Sequence, residues 1–217
     1  ARNSVFDSKN FFAPAKPAMD RLMTDGNLSG PIVRSRSSYY VNAEHYRNND
    51  SSVVNARTLD GPLQQNILMP ERRTRVLGRY ESKGEVHQTS IQYGWLHQSE
   101  QNRGAGGLKL AEQGVPSSVV SHRVQFSDRA LLAGKLLNDF RVVGQWESAG
   151  RGAASDAPAI HVQGAFTGGP SQTYWVRRES SMRIQDSASV ALPKHTLRFG
   201  VEGRPGFYNS MEGSQFA

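Results

Sequence analysis

Apolar and polar residues alternate with a period of two along much of the chain, which marks strands whose two faces meet different surroundings. Thr89, Ile91, Tyr93, Trp95 and His97 share one parity, and Gln88, Ser90, Gln92, Gly94 and Leu96 take the other. Phe140, Val142, Gly144 and Trp146 alternate with Asp139, Arg141, Gln145 and Glu147. Leu197, Phe199 and Val201 alternate with Thr196, Arg198 and Glu202. Fainter copies occur around Tyr39–Glu44, Arg75–Glu81, Val120–Phe126 and Tyr174–Gln185. These segments run for about 9 to 13 residues, against about 5–6 for an ordinary globular strand and about 9–11 for a membrane-crossing one.

Short and long connections also alternate. The pattern predicts eight strands, at 24–32, 38–47, 72–82, 88–98, 118–127, 136–148, 173–186 and 195–204. Segments 33–37, 83–86, 128–135 and 190–194 are short; 48–71, 99–117 and 149–172 are long. Outer-membrane barrels have short periplasmic turns and long extracellular loops. The expected fold is therefore all-β, an antiparallel meander in a transmembrane β-barrel with long extracellular loops and short periplasmic turns; that it forms part of a large barrel is what the family resemblance given below implies. One further alternating stretch, 159–167, would break the parity of crossings and is read as ordered structure in an extracellular loop or as an extension of a neighbouring strand.

Composition changes little in this picture. Apolar residues make up 37% of the chain, with no run near the roughly 18 needed for a membrane helix. A barrel strand shows lipid only every second residue, so its mean hydropathy stays low. The absence of cysteine excludes disulfides and thiolate metal sites. The net charge of +7 raises nucleic acid as a partner. However, the densest run, Arg72, Arg73, Arg75 and Arg79, alternates with Val76, Gly78 and Tyr80, as a strand face would, and no nucleic acid is expected. The six histidines are scattered without metal-ligand spacing, and neither Gly26–Gly30 nor Gly104–Gly107 completes a catalytic or phosphate-binding motif. No enzyme activity, cofactor or metal is expected.

The alternation nominates two sets of residues. Ile91, Tyr93, Trp95, Phe140, Val142, Trp146, Leu197, Phe199 and Val201 are expected to meet lipid. Arg75, Arg79, Arg141, Glu147, Arg177, Glu179, Arg183, Arg198 and Glu202 are expected to line the lumen. Tyr39, Tyr40, Tyr46, Tyr80, Tyr93, Trp95, Trp146, Tyr174 and Trp175 fall toward predicted strand ends, either as an interfacial girdle or as ordinary strand aromatics.

Several short segments carry a resemblance. Ala1-Arg2-Asn3 with Asn10-Phe11-Phe12-Ala13-Pro14, Gly26-Asn27-Leu28-Ser29-Gly30-Pro31-Ile32 and Ser38-Tyr39-Tyr40-Val41-Asn42-Ala43-Glu44 resemble the start of the barrel in Oar-like TonB-dependent transporters. Leu137-Asn138-Asp139-Phe140-Arg141 and Lys194-His195-Thr196-Leu197-Arg198-Phe199-Gly200 follow in the family's order. Tyr39-Tyr40 stand where the family carries a phenylalanine run, and Gly26 and Ser29 also depart from its pattern. The resemblance implies that residues 1–217 belong to a barrel of about 22 strands in the bacterial outer membrane. Its partners would be outer-membrane lipid, a plug domain, the remaining barrel strands, and TonB through an N-terminal part outside this chain. The chain begins without a signal peptide, and Met211–Ala217 reads as a polar stretch without a finished element, as expected of a piece of a longer protein. Two other readings stay open: a soluble all-β surface binding or adhesion module, and a small self-contained eight-strand barrel. An arc of eight strands leaves two raw edges. The isolated chain is accordingly expected not to insert stably into a bilayer; a heat-modifiable, protease-resistant band from it alone would contradict this.

Overall fold

A computed structural model describes residues 2–3, 5, 8–9, 11–16, 19–152 and 157–214. The chain is all-β. Its strands are β1 (Arg2–Asn3), β2 (Asp20–Val33), β3 (Ser37–Thr58), β4 (Gly61–Lys83), β5 (His87–Arg103), β6 (Val115–Leu132), β7 (Leu136–Arg151), β8 (Ile160–Val162), β9 (Phe166–Gly168), β10 (Thr173–Ala191), β11 (Thr196–Gly203) and β12 (Gly206–Ser214). A 3-10 turn, Ala111–Gln113, lies between β5 and β6. Among the described residues no helix is long and apolar enough to cross a membrane.

All strands but β8 and β9 form one open antiparallel meander in the order β1-β2-β3-β4-β5-β6-β7-β10-β11, with β12 also beside β10. β11 and β12 keep one register against β10, Ile184 opposite Gly203 and Ser181 opposite Gly206, so they are a single strand interrupted at Arg204–Pro205. The Pro205 carbonyl accepts the Met182 N–H at 2.9 Å, but proline has no N–H to return, and one rung lacks its second bond. Counting β11 and β12 as one, the sheet has the eight long strands expected.

One row of directly opposed residues crosses all eight: Gly30, Tyr39, Tyr80, Ile91, Phe126, Val142, Ile184 and Gly203. The short turns step away from this row. Ser35 lies four residues from it along β3, Glu85 six along β5, Gly134 eight along β7, and Pro193–Lys194 nine to ten along β11. The stagger is therefore close to one residue per strand, always in the same direction. A rise of about 3.3 Å against a strand spacing of about 4.8 Å corresponds to a tilt of about 35°.

The strands outrun the expected boundaries. Segment 48–71, expected as a long loop, is instead the upper half of a hairpin. β3 and β4 pair without a break up to Thr58 opposite Gly61, and Leu59-Asp60 makes a two-residue turn. Leu59 and Asp60 keep negative φ and Gly61, which follows them, has φ 115, the pattern of a turn closed by a glycine at positive φ, as in a glycine bulge. Segment 159–167 is a small hairpin, β8–β9, in a separate two-stranded sheet. The C-terminal stretch read as unfinished is strand up to Ser214, paired with β10. Longer strands also move the aromatics away from the ends. Tyr93, Trp95 and Trp146 lie in mid-strand, and Tyr40, Tyr46 and Trp175 take the opposite parity from Tyr39, Trp95 and Trp146.

No second layer covers the sheet among the described residues. The buried cluster is small and lies at the long-connection end: Val54, Ala56, Ile67, Ala105 and Phe166, with Leu63, Leu110, Ala111 and Ala165 against it. The β6–β7 turn is locally strained. Ala133 and Gly134 both have positive φ, 47 and 66, and the Lys135 N–H reaches the Leu132 carbonyl at 3.1 Å. Two central residues at positive φ define the turn that prefers Asn-Gly, and an alanine there costs about 1 kcal/mol. Ala133→Asn is expected to stabilise the fold by about that amount, seen as a higher thermal midpoint; an unchanged or lower midpoint would contradict the turn geometry.

Candidate functional site

The continuous register sorts side chains onto two faces. Beside the row that contains Ile91 lie two more of the same parity. One runs Leu28, Val41, Gly78, Tyr93, Val124, Gly144 and Met182; the other runs Gly26, Ala43, Val76, Trp95, His122, Trp146, Ser180 and Phe207. All nine residues nominated to meet lipid are on this face. It stays open: Trp146 is 50% exposed, Phe199 61%, Val201 71% and Phe207 78%. Toward the short turns a polar group interrupts it. Thr89 Oγ1 donates to Asp128 at 2.9 Å, His87 Nδ1 lies 2.8 Å from the same carboxylate, and Asn138 Nδ2 donates to Asp186 at 2.8 Å.

All nine residues nominated for the lumen are on the opposite face. Glu44 and Arg75 are directly opposed on adjacent strands, as are Glu147 and Glu179, and Arg141 and Gln185. Ion pairs stitch neighbouring strands: Arg177–Glu147 at 2.8 Å, Arg73–Glu44 at 3.3 Å and Arg129–Asp139 at 2.6 Å. Arg79 pairs with Glu81 at 3.0 Å along its own strand, and Glu202 takes both Arg183 and Arg204. Arg73 also lies over the Tyr46 ring, 5.1 Å from its centroid. Partly exposed pairs like these contribute little individually, about 0–1 kcal/mol each. Their consequence is a wetted, charged surface. Arg75, Arg141 and Arg198 have no carboxylate partner among the described residues, so the face keeps free cationic groups. A polar basin at its short-turn end is bordered by Glu81, Ser90, Ser127, Arg129, Arg141 and Gln185.

At the other end, the charged face turns apolar and carries a cap. β2 stops at Asp20 opposite Asn49, so β3 beyond that point has one free edge. Unpaired backbone groups need partners. The β5–β6 connection supplies them: the Gly107 N–H reaches Val53 and the Asn55 N–H reaches Gly107, both at 2.8 Å. The β8–β9 hairpin adds Ala165, which accepts from the Arg57 N–H at 3.2 Å. To arrive there the two connections pass over the charged-face side of the hairpin, where Val54, Ala56, Leu63 and Ile67 receive Ala105, Leu110 and Phe166. They are also tied to each other. Thr167 donates to Leu108 at 2.8 Å, Leu110 donates to Thr167 at 2.9 Å, and the Gly169 N–H donates to Glu112 at 2.7 Å. Gln113 Nε2 spans the carbonyls of Gly168, Gly169 and Pro170 at 3.4, 2.7 and 3.2 Å.

The alternation nominated both faces, but it missed the cap. The Asp60-Gly61 hairpin signal was the one available clue, since it would have extended β3 and β4 beyond the band and exposed their free edge. Among the described residues no group of three or more His, Asp or Glu side chains could hold a metal ion. No protein-family model matches this chain, and no curated protein or solved structure is significantly similar to it.

Gln113→Ala removes one of the ties between the two connections and leaves three carbonyls without its amide donor. The segment between β7 and β10 is then expected to be nicked several-fold faster in limited proteolysis, with the meander intact; equal nicking rates would show that Gln113 does not hold the cap.

Proposed function

We propose that this chain is a wall segment of a bacterial outer-membrane transporter of the TonB-dependent, Oar-like kind, taking up a ligand across the membrane. The observation that carries the reading is the open apolar face. It runs across all eight long strands, no layer covers it among the described residues, and the opposite face is charged. In a soluble sandwich such a face packs against a second sheet. In a barrel it meets lipid, while the charged face turns to a watery or plugged lumen.

Three further features support the reading. The stagger of about one residue per strand gives a tilt of about 35°, at the lower end of the 35–45° that outer-membrane barrels adopt. The apolar face gives way to polar side chains at Thr24, His45, Thr74, His97, His122, Ser148, Ser180 and Asn209, ten to sixteen residues from the neighbouring turns. Ten residues at that tilt rise about 27 Å, enough to cross a membrane, and the apolar stretch lies within that rise, bounded toward the turns by the Thr89–Asp128 and Asn138–Asp186 groups. The segments that resemble the family also fall where the ladder is regular. Gly26–Pro31 pairs with Ser38–Ala43, and Leu137–Arg141 and Lys194–Gly200 lie beside the short turns. The open edges at β2 and at β11–β12 favour an arc of a larger wall over a closed eight-strand barrel.

In this reading the short turns are periplasmic and the cap is extracellular. The outer membrane is the lipid partner. A plug, the other barrel strands and TonB complete the machine, and this chain contributes wall, lumen charge and surface cap rather than catalysis. This chain has no cysteine to label, so the topology is testable in the full-length parent once any cysteine elsewhere in it is replaced by serine. In intact cells a membrane-impermeant maleimide is expected to label Gln163→Cys in the β8–β9 hairpin. It should label Lys135→Cys in the β6–β7 turn only after the outer membrane is permeabilised. Equal labelling of both in intact cells would sink the topology.

A further inference from the structure

On the charged face, beside the start of the β5–β6 connection, four strands leave a cavity of about 360 Å³ bordered by Gln98, Glu100, Arg103, Ser117, Val119, Arg151 and Trp175. Its origin is in the register. One row runs Glu71, Glu100, Ser117, Arg151 and Trp175, so a small serine sits between long side chains. The next row runs Arg73, Gln98, Val119, Ala149 and Arg177, again short in the middle. Ser117 and Val119 form a floor, and the flanking side chains form walls. The volume is in the range of small-ligand sites.

The walls are chemically specific. Gln98 Nε2 donates to Glu100 at 3.0 Å and to Glu71 at 3.3 Å, which holds two adjacent carboxylates and leaves the amide oxygen free. Arg103 pairs with Glu100. Arg151 donates from Nη2 to the Arg103 carbonyl at 3.2 Å, its Nε is buried without a partner, and it has no carboxylate among the described residues. Beside it stands the half-buried indole of Trp175.

We propose that this cavity is a saccharide-binding site whose preferred ligand carries a carboxylate. A pyranose ring offers slightly positive C–H groups on its flat face, which suit the negative face of an indole. Its hydroxyls radiate in the ring plane, each both donor and acceptor. The amide of Gln98, the carboxylate of Glu100, the hydroxyl of Ser117 and the guanidinium groups supply both roles in a similar geometry. Arg151, unmatched by an acid, is placed to take a ligand carboxylate with two parallel bonds. A phosphate or polyanion is disfavoured by the Glu71–Glu100 pair. A hydrophobic ligand would leave the polar walls without partners.

The site rests on the transporter reading only for its orientation toward the cell exterior; the pocket chemistry stands apart from it. The test uses the full-length parent, purified in detergent, on an immobilised panel of neutral, singly uronate-bearing and sialylated glycans, with the monosaccharide galacturonate, which carries a single carboxylate, and its methyl ester as solution probes. Binding is expected to uronate-bearing chains, with the methyl ester weaker. Arg151→Gln should weaken the acid form roughly tenfold and leave the ester unchanged. Trp175→Ala should abolish binding of both, and Trp175→Phe should restore part of it. Heat-modifiable migration of each variant separates lost binding from lost folding. No binding to any glycan, or binding indifferent to both Arg151→Gln and Trp175→Ala, overturns the proposal. A protein that binds glycans with these sensitivities yet shows no heat-modifiable barrel would keep the site and overturn the transporter reading.

Discussion

Everything in this molecule depends on one antiparallel hydrogen-bond ladder that keeps its register across eight strands. Side chains alternate with period two, so a slip of one residue in any pairing would exchange the faces of every strand beyond it. No such slip occurs between Gly30 and Gly203. The register shifts between Pro31 and Val33 and between Glu100 and Arg103 both fall next to connections, outside this row, and Pro205 removes a bond without shifting the register. Because of this continuity, Ile91 can share a face with Val142 and Phe207, while Arg75 shares one with Glu147 and Glu202. The same ladder explains the cap. Where β2 ends, β3 loses a partner, and the two long connections fold over the charged side to supply one.

The parts legible in the sequence are those where two surroundings differ. Between Thr89 and Trp95, or Phe140 and Trp146, one face is apolar and the other polar, and the alternation gives the strand, its parity and its candidate faces at once. That contrast fades above the band. Ser51–Arg57 carries valine on both parities, because one side there packs under the cap. The strand continues, but the pattern that would announce it does not. The C-terminal strand was obscured differently, since Asn209 falls between Phe207 and Met211 on the apolar parity and dilutes the signal. The cavity beside the β5–β6 connection could not be read from sequence. Its residues come from Gln98, Ser117, Arg151 and Trp175, which meet only through three pairings and through the short side chains between them.

The two faces make opposite demands on their surroundings, and this constrains what can adjoin the sheet. The apolar face holds large uncovered side chains, and water is a poor environment for it. The charged face holds arginines beyond its carboxylates, and an apolar neighbour is a poor environment for those. A protein layer packed on the apolar face could answer the first demand, but it would have to accommodate Asp128 and Asp186 near the short-turn end. Lipid answers it with less constraint, because these groups carry their own partners in His87, Thr89 and Asn138 and lie toward the turns, within reach of the interface. The second demand calls for water or for an acidic surface that can approach Arg75, Arg141 and Arg198. A wall with lipid outside and a hydrated interior, as proposed, would meet both, and the stagger that tilts the strands is compatible with such a wall. In the proposed barrel, the open edges along β11–β12 and along β2 beyond its two-residue pairing with β1 are where further strands would supply partners for the free N–H and C=O groups.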